Sequence, residues 1–156
     1  MKVDVVTSSW HEIRAVASAE AIGTMLFHRL FVLDPVMLSY FRFSSTFDVN
    51  ALSIDFSTPN KELFENVGFL EYARIVVWAI DMLVKDLGDL GKCAEILTDL
   101  GARHKEYGVT ILNYDTLGVA LVGSLRAELK GKFGEREEES WMWLSGVIKA
   151  IMTKTE

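Results

Sequence analysis

Apolar residues recur along this chain at helical rather than alternating spacing. Trp10, Ile13 and Ala17 share one face of a first helix, for which Ser8 or Ser9 is the expected N-cap. Ile22, Leu26, Leu30 and Leu33 form the stripe of a second, running from about Ala19 to Leu33, with Phe27 and Phe31 beside it. Asp34-Pro35 ends it, because proline disfavours the helical conformation in the residue before it, and Pro35 can open the next short turn. Polar residues crowd positions 43–58 and periodicity fades there, which predicts a long connection with one weak helical turn. Thr58-Pro59 reads as an N-cap followed by proline at the first helical position, opening a long helix to about Leu87, bent near Gly68. Gly88 and Gly91 punctuate the chain, and helices follow over about 92–105, 110–129 and 135–153. Glu135, Glu137, Glu138 and Glu139 open the last, where the helix dipole favours acids. No stretch alternates like a strand. The class is all-α, with seven or so helices of unequal length, unlike a regular four-helix bundle.

Composition narrows the picture. A chain of 156 residues, half of them hydrophobic and only two of them proline, reads as one globular domain over 1–156 and excludes disorder. A net charge of −6 argues against nucleic acid as the main partner. Mean hydropathy is high at +0.22, yet the longest apolar run, about 75–80, falls far short of the roughly 20 residues a membrane span needs. No membrane partner is expected. The lone Cys93 excludes a disulfide framework and suits a reducing compartment, and the first residues show no signal-peptide pattern. A cytoplasmic protein is the expectation.

Three histidines are the candidates for metal chemistry. His11 is expected to face solvent, and His28 lies beside Arg29 on what reads as the charged side of the second helix. His104 shares a face with Leu97 and Leu100, so its imidazole should point into an apolar region. Taken alone, a histidine at such a position is more often a satisfied structural residue than a metal ligand, although neutral imidazole is the commonest metal ligand. The neighbourhood decides.

Leu100-Gly101-Ala102-Arg103-His104-Lys105-Glu106-Tyr107-Gly108-Val109, followed by Tyr114 and Gly118, resembles the proximal-histidine stretch of globins, particularly neuroglobins and bacterial single-domain globins. The segment from Gly23 through Phe27-His28-Arg29 to Asp34-Pro35 resembles the second globin helix running into the third. Met37-Leu38-Ser39-Tyr40-Phe41 places Phe41 at the phenylalanine that globins wedge against the haem. The Ser9-Trp10 and Ser140-Trp141 pairs match too, so the resemblance covers roughly residues 7–152.

That resemblance implies a three-over-three globin fold with an extended connection between its third and fifth helices, and haem b as cofactor. A flat apolar disc needs apolar walls, an axial ligand and basic groups for its propionates. Phe27, Phe41, Val76, Leu100 and Val109 would supply walls, with Arg42, Arg74 or Arg103 at the propionates and His104 as proximal ligand. Gly23 would let the second helix cross close to the long helix at Ala73.

Alignment through Phe69-Leu70-Glu71-Tyr72-Ala73-Arg74 puts Tyr72 where globins usually carry histidine or glutamine. Tyr72, Val76, Ala79 and Leu83 form one stripe. The Tyr72 phenol would donate a hydrogen bond to a dioxygen ligand, ligate ferric iron as phenolate, or swing out to the haem edge. No histidine lies between His28 and His104, which excludes the bis-histidine iron of neuroglobin in this register. Tyr114 matches the proximal tyrosine of flavohaemoglobins, but Trp143 stands where their glutamate would be. Losing that carboxylate weakens peroxidase-like chemistry.

The leading function is reversible binding of dioxygen, carbon monoxide or nitric oxide. An enzyme (nitric oxide dioxygenase, nitrite reductase or peroxidase) is the alternative, and would need an external reductase because the chain leaves no room for a flavin domain. A gas or redox sensor is the third.

Overall fold

A computed structural model describes residues 1–41, 52–57 and 60–154. Its described residues form seven α-helices, α1 (Lys2–Val16), α2 (Ala19–Leu33), α3 (Lys61–Phe64), α4 (Val67–Lys85), α5 (Leu90–Glu106), α6 (Ile111–Leu129) and α7 (Glu135–Met152). Short 3-10 turns follow α2 (Pro35–Tyr40) and α6 (Lys130–Lys132). Described residues contain no strand. The helices stack as a three-over-three sandwich: α2 packs on α4 and α6, while α7 packs on α1, α5 and α6. Sharp corners of 111° between α1 and α2, and 115° between α5 and α6, turn the chain from one layer to the other. Among the described residues no single helix is long and apolar enough to cross a membrane.

Several boundaries follow from local chemistry. The Ser18 hydroxyl accepts the Ala21 N–H at 3.1 Å to start α2, and Asp89 accepts the Lys92 N–H at 3.2 Å to start α5. Pro35 sits in the first turn of its 3-10 element, as the sequence predicts.

Other expectations need correction. The first helix begins at Lys2, not at Ser8 or Ser9. Ser9 instead lies buried in mid-helix, where its hydroxyl donates to the Val5 carbonyl at 2.7 Å and accepts the Trp141 indole N–H at 2.8 Å. That serine ties α1 to α7. The Trp10 ring lies tilted at 53° to that of Trp141, 5.9 Å between centres, and donates its indole N–H to Asp81 at 2.7 Å. Arg14 grips both oxygens of the same carboxylate, at 3.0 and 3.1 Å, so Asp81 fastens α4 to α1.

The expected long helix is two. Asn60 caps α3 by accepting the Leu63 N–H at 3.2 Å, and Asn66 caps α4 by accepting the Phe69 N–H at 3.0 Å. Thr58 and Pro59 lie outside the described residues, as does the connection over 42–51. Residues 52–57 carry no helix. Leu33, the last member of the α2 stripe, is exposed.

α2 crosses closely over α4. A Cβ built on Gly23 would lie 2.5 Å from the Ala73 Cβ, so only glycine permits this separation. Gly101 performs the same service for α5, where an added Cβ would collide with the Met152 carbonyl oxygen of α7.

Candidate functional site

α4 and α5 each present a row of apolar side chains that the core leaves partly exposed. On α4 and its neighbours the row is Phe41, Tyr72 and Val76, at the margin of a cluster built on Phe27, Phe31, Phe69 and Ala73. On α5 and the residues just after it, the row is Leu100 and Val109, at the margin of a second cluster containing Leu97, Tyr114 and Met152. The expected distal wall residues thus fall in one cluster and the expected proximal ones in the other.

Phe27 is the hub of the distal wall. It is buried, stacks on Phe31 at 5.6 Å, and meets Phe41 and Phe69 edge-on at 5.5 and 5.8 Å. The Tyr72 ring stands edge-on to Phe41 at 5.5 Å, which seats the phenol on this aromatic wall. The remainder of the Tyr72 stripe is graded, with Val76 and Leu83 partly buried and Ala79 exposed.

On the proximal side, α5 carries His104 in its last turn, where the helix dipole favours a base. Its Nδ1–H donates to the Leu100 carbonyl at 2.7 Å. A carbonyl only accepts, so the proton of the neutral ring is on Nδ1 and the lone pair is on Nε2. Nε2 has no hydrogen-bond partner among the described residues. Tyr107 and Tyr114 flank the ring at 6.4 and 6.3 Å. Such an imidazole, oriented by a backbone carbonyl with its other nitrogen uncommitted, is the arrangement of a histidine ligand. Among the described residues no three His, Cys, Asp or Glu side chains converge to hold a metal ion by themselves. The site therefore fits a flat apolar group that brings most of its own donors and takes one nitrogen from the chain.

The basic candidates separate. Arg42 lies outside the described residues. Arg74 turns to α2, with its Nε 3.7 Å from Glu20, which corrects its expected place at the edge of the pocket. Arg103 is exposed one residue before His104 and forms no ion pair among the described residues.

His11 is exposed, as expected. His28 is a correction: it is buried, donates from Nε2 to the Ser53 carbonyl at 2.5 Å, and meets the Phe56 ring at 4.7 Å. The Arg29 guanidinium lies over the same ring, 4.4 Å from its centre. Burial holds the His28 pKa below the ordinary histidine value, opposed by the Ser53 carbonyl bond. His28 is a clasp for the connection, not a ligand.

Sequence reasoning missed Tyr40 and Asn113. The Tyr40 hydroxyl donates to Asn113 Oδ1 at 3.4 Å, and the same oxygen accepts the Thr110 N–H at 2.8 Å. This network joins the segment carrying Phe41 to the start of α6, beside Val109. The signal was faint: Thr110 and Asn113 stand three apart ahead of an apolar run, a capping spacing.

A cleft of about 480 Å³ between α1 and the C-terminal end of α4, lined by Trp10, His11, Arg14, Asp81 and Lys85, shares no residue with the His104 neighbourhood.

The family model described as Globin matches residues 24–152. The neuroglobins of Danio rerio and Dissostichus mawsoni are each 28% identical to this chain over 132 residues, covering 85% of it and 77% of their own length. Among solved structures, a Drosophila melanogaster globin superposes with a TM-score of 0.79 at 23% identity, covering 98% of this chain and 92% of its own. A second Drosophila melanogaster structure, described as a hexa-coordinate hemoglobin in a cyanide-binding study, gives 0.81 at 22% identity, with coverages of 99% and 93%.

Proposed function

Because the chain belongs to the globin family, we propose that it holds haem b between α4 and α5 and reversibly binds a diatomic ligand, dioxygen before carbon monoxide or nitric oxide. One observation supports this reading: the Leu100 carbonyl fixes His104 through Nδ1, which leaves Nε2 uncommitted among the described residues, beside the apolar margin of Leu100 and Val109. When bound, the haem supplies an iron that accepts a diatomic molecule.

The chain's own residues do the rest. His104 Nε2 would hold the iron, and the Leu100 bond fixes the tautomer and ring plane. Phe27, Phe41, Val76, Leu100 and Val109 exclude water from the faces of the disc. Arg103 meets a propionate, and Tyr114 packs beside the proximal imidazole. Tyr72, its ring held on the aromatic wall by Phe41, would supply its hydroxyl hydrogen to a diatomic ligand.

The test is an absorption spectrum of the haem-loaded chain. The expected ferrous form has no sixth protein ligand, and adding oxygen then removing it returns the starting spectrum. Split, sharp ferrous bands of two axial nitrogens would contradict the reading, because His11 is exposed and His28 is committed to Ser53. Rapid irreversible oxidation on every exposure to oxygen would favour a redox enzyme served by a separate reductase.

A further inference from the structure

α4 has three faces. Phe69, Ala73, Val77 and Val84 enter the core, Tyr72, Val76 and Leu83 line the candidate pocket, and the third face points to solvent. That outer face should be polar. Instead Ile75, Trp78 and Met82 stand on it 58, 52 and 56% exposed. Isolated exposed apolar residues are ordinary, but three successive positions of one helical seam are not.

The seam extends to Glu71 before them and Lys85 after them, both exposed, at alternating spacings of four and three residues. That is the spacing at which one helix meets another. Neither Glu71 nor Lys85 forms an ion pair among the described residues. Trp78 lies at the midpoint, with Glu71 seven residues to one side and Lys85 seven to the other.

We propose that this face of α4 pairs, antiparallel, with the same face of a second copy of this chain. A two-fold axis beside Trp78 sets Glu71 of each copy against Lys85 of the other, about 10 Å on either side of the axis. Six apolar side chains from the two copies then fill the centre between two ion pairs. A parallel arrangement would set Glu71 against Glu71 and Lys85 against Lys85. The charge pattern is therefore self-complementary in one orientation only. The seam spans only four turns of helix, so the interface falls at the small end of protein contacts and association in the range of tens of micromolar is expected.

Sedimentation of the purified full-length chain between about 5 and 300 µM reads this directly. The average mass of the wild type should climb from monomer toward dimer. Trp78→Glu should hold the chain monomeric. Glu71→Lys sets lysine against lysine at both ends and should weaken association by about tenfold. The double change Glu71→Lys with Lys85→Glu should restore it, although it opposes the α4 dipole more than either single change does. A wild type that stays monomeric at the highest concentration, whether or not it binds anionic phospholipid vesicles, overturns the proposal. So does a charge-swapped double variant that associates no better than Glu71→Lys.

Discussion

Tyr72 stands edge-on to Phe41, ring centres 5.5 Å apart and planes at 79°. The contact joins α4 to the segment after α2, and Phe41 in turn leans on Phe27 and Phe31. A tyrosine so seated keeps its ring in the aromatic wall whether or not it carries a hydroxyl. Tyr72→Phe should therefore preserve packing and remove one hydrogen bond to a partly negative dioxygen ligand. Such a bond is worth about 1.5–3 kcal/mol, or roughly 10- to 150-fold in oxygen dissociation rate. Stopped-flow measurement should show that acceleration with carbon monoxide binding nearly unchanged. If the ferric spectrum also loses a charge-transfer band, the phenolate was an iron ligand. A rate within about twofold of wild type and an unaltered ferric spectrum would show that the hydroxyl points elsewhere.

The clasp between His28 and Ser53 should make stability depend on mild acid. Burial depresses the folded-state pKa of His28 below 6.5, the value expected for the unfolded chain. Below that pH the unfolded chain binds a proton that the folded chain refuses. The contribution of neutral His28 is thus complete above pH 6.5 and is lost as pH falls toward the folded value. Arg29 beside it opposes protonation, and Asp55 on the connection favours it. Urea titrations at successive pH values should show a slope from this group of at most about 1.4 kcal/mol per pH unit, flattened in His28→Gln. Equal slopes in both proteins would show that His28 titrates alike folded and unfolded.

Gly23→Ala should destabilise the chain by about 1–3 kcal/mol despite alanine's better helix propensity, because its methyl meets Ala73 at 2.5 Å. Pairing it with Ala73→Gly removes the methyl contact but leaves the residue-73 Cα and carbonyl oxygen 2.8 Å from the added methyl, so it should recover only part of the loss. Denaturant midpoints of the single and double variants check this. An unchanged midpoint in Gly23→Ala would mean that α2 and α4 can separate without penalty.

The sequence made α2, α5, α6 and α7 legible because their end signals are local. Ser18 and Asp89 bond N–H groups three residues on, and Asp34-Pro35 stops α2 at once. The start of α1 was not legible because Ser9 resembles a cap while its true partners are Val5 and the distant Trp141. His28 was misread for the same reason. Its neighbour Arg29 suggests a charged side, whereas Ser53 and Phe56, from the far connection, bury it. The break before α4 did carry a local signal, in Asn60 and Asn66, but Thr58-Pro59 outweighed it. Spacing and resemblance single out His104 and Phe41 as candidates for the site. The turn of Arg74 toward Glu20 was not legible, since it depends on how two helices cross.

The most direct measurement removes the imidazole of His104 and then supplies it from solution. His104→Gly keeps the walls formed by Leu100, Val109 and Tyr114 and deletes the imidazole whose Nε2 is uncommitted among the described residues. Haem titration followed by its absorption bands should show weak, ill-defined binding in the variant, and added imidazole should restore the spectrum of the wild type. Full haem occupancy with an unchanged spectrum in His104→Gly, before any imidazole is added, would contradict the assignment.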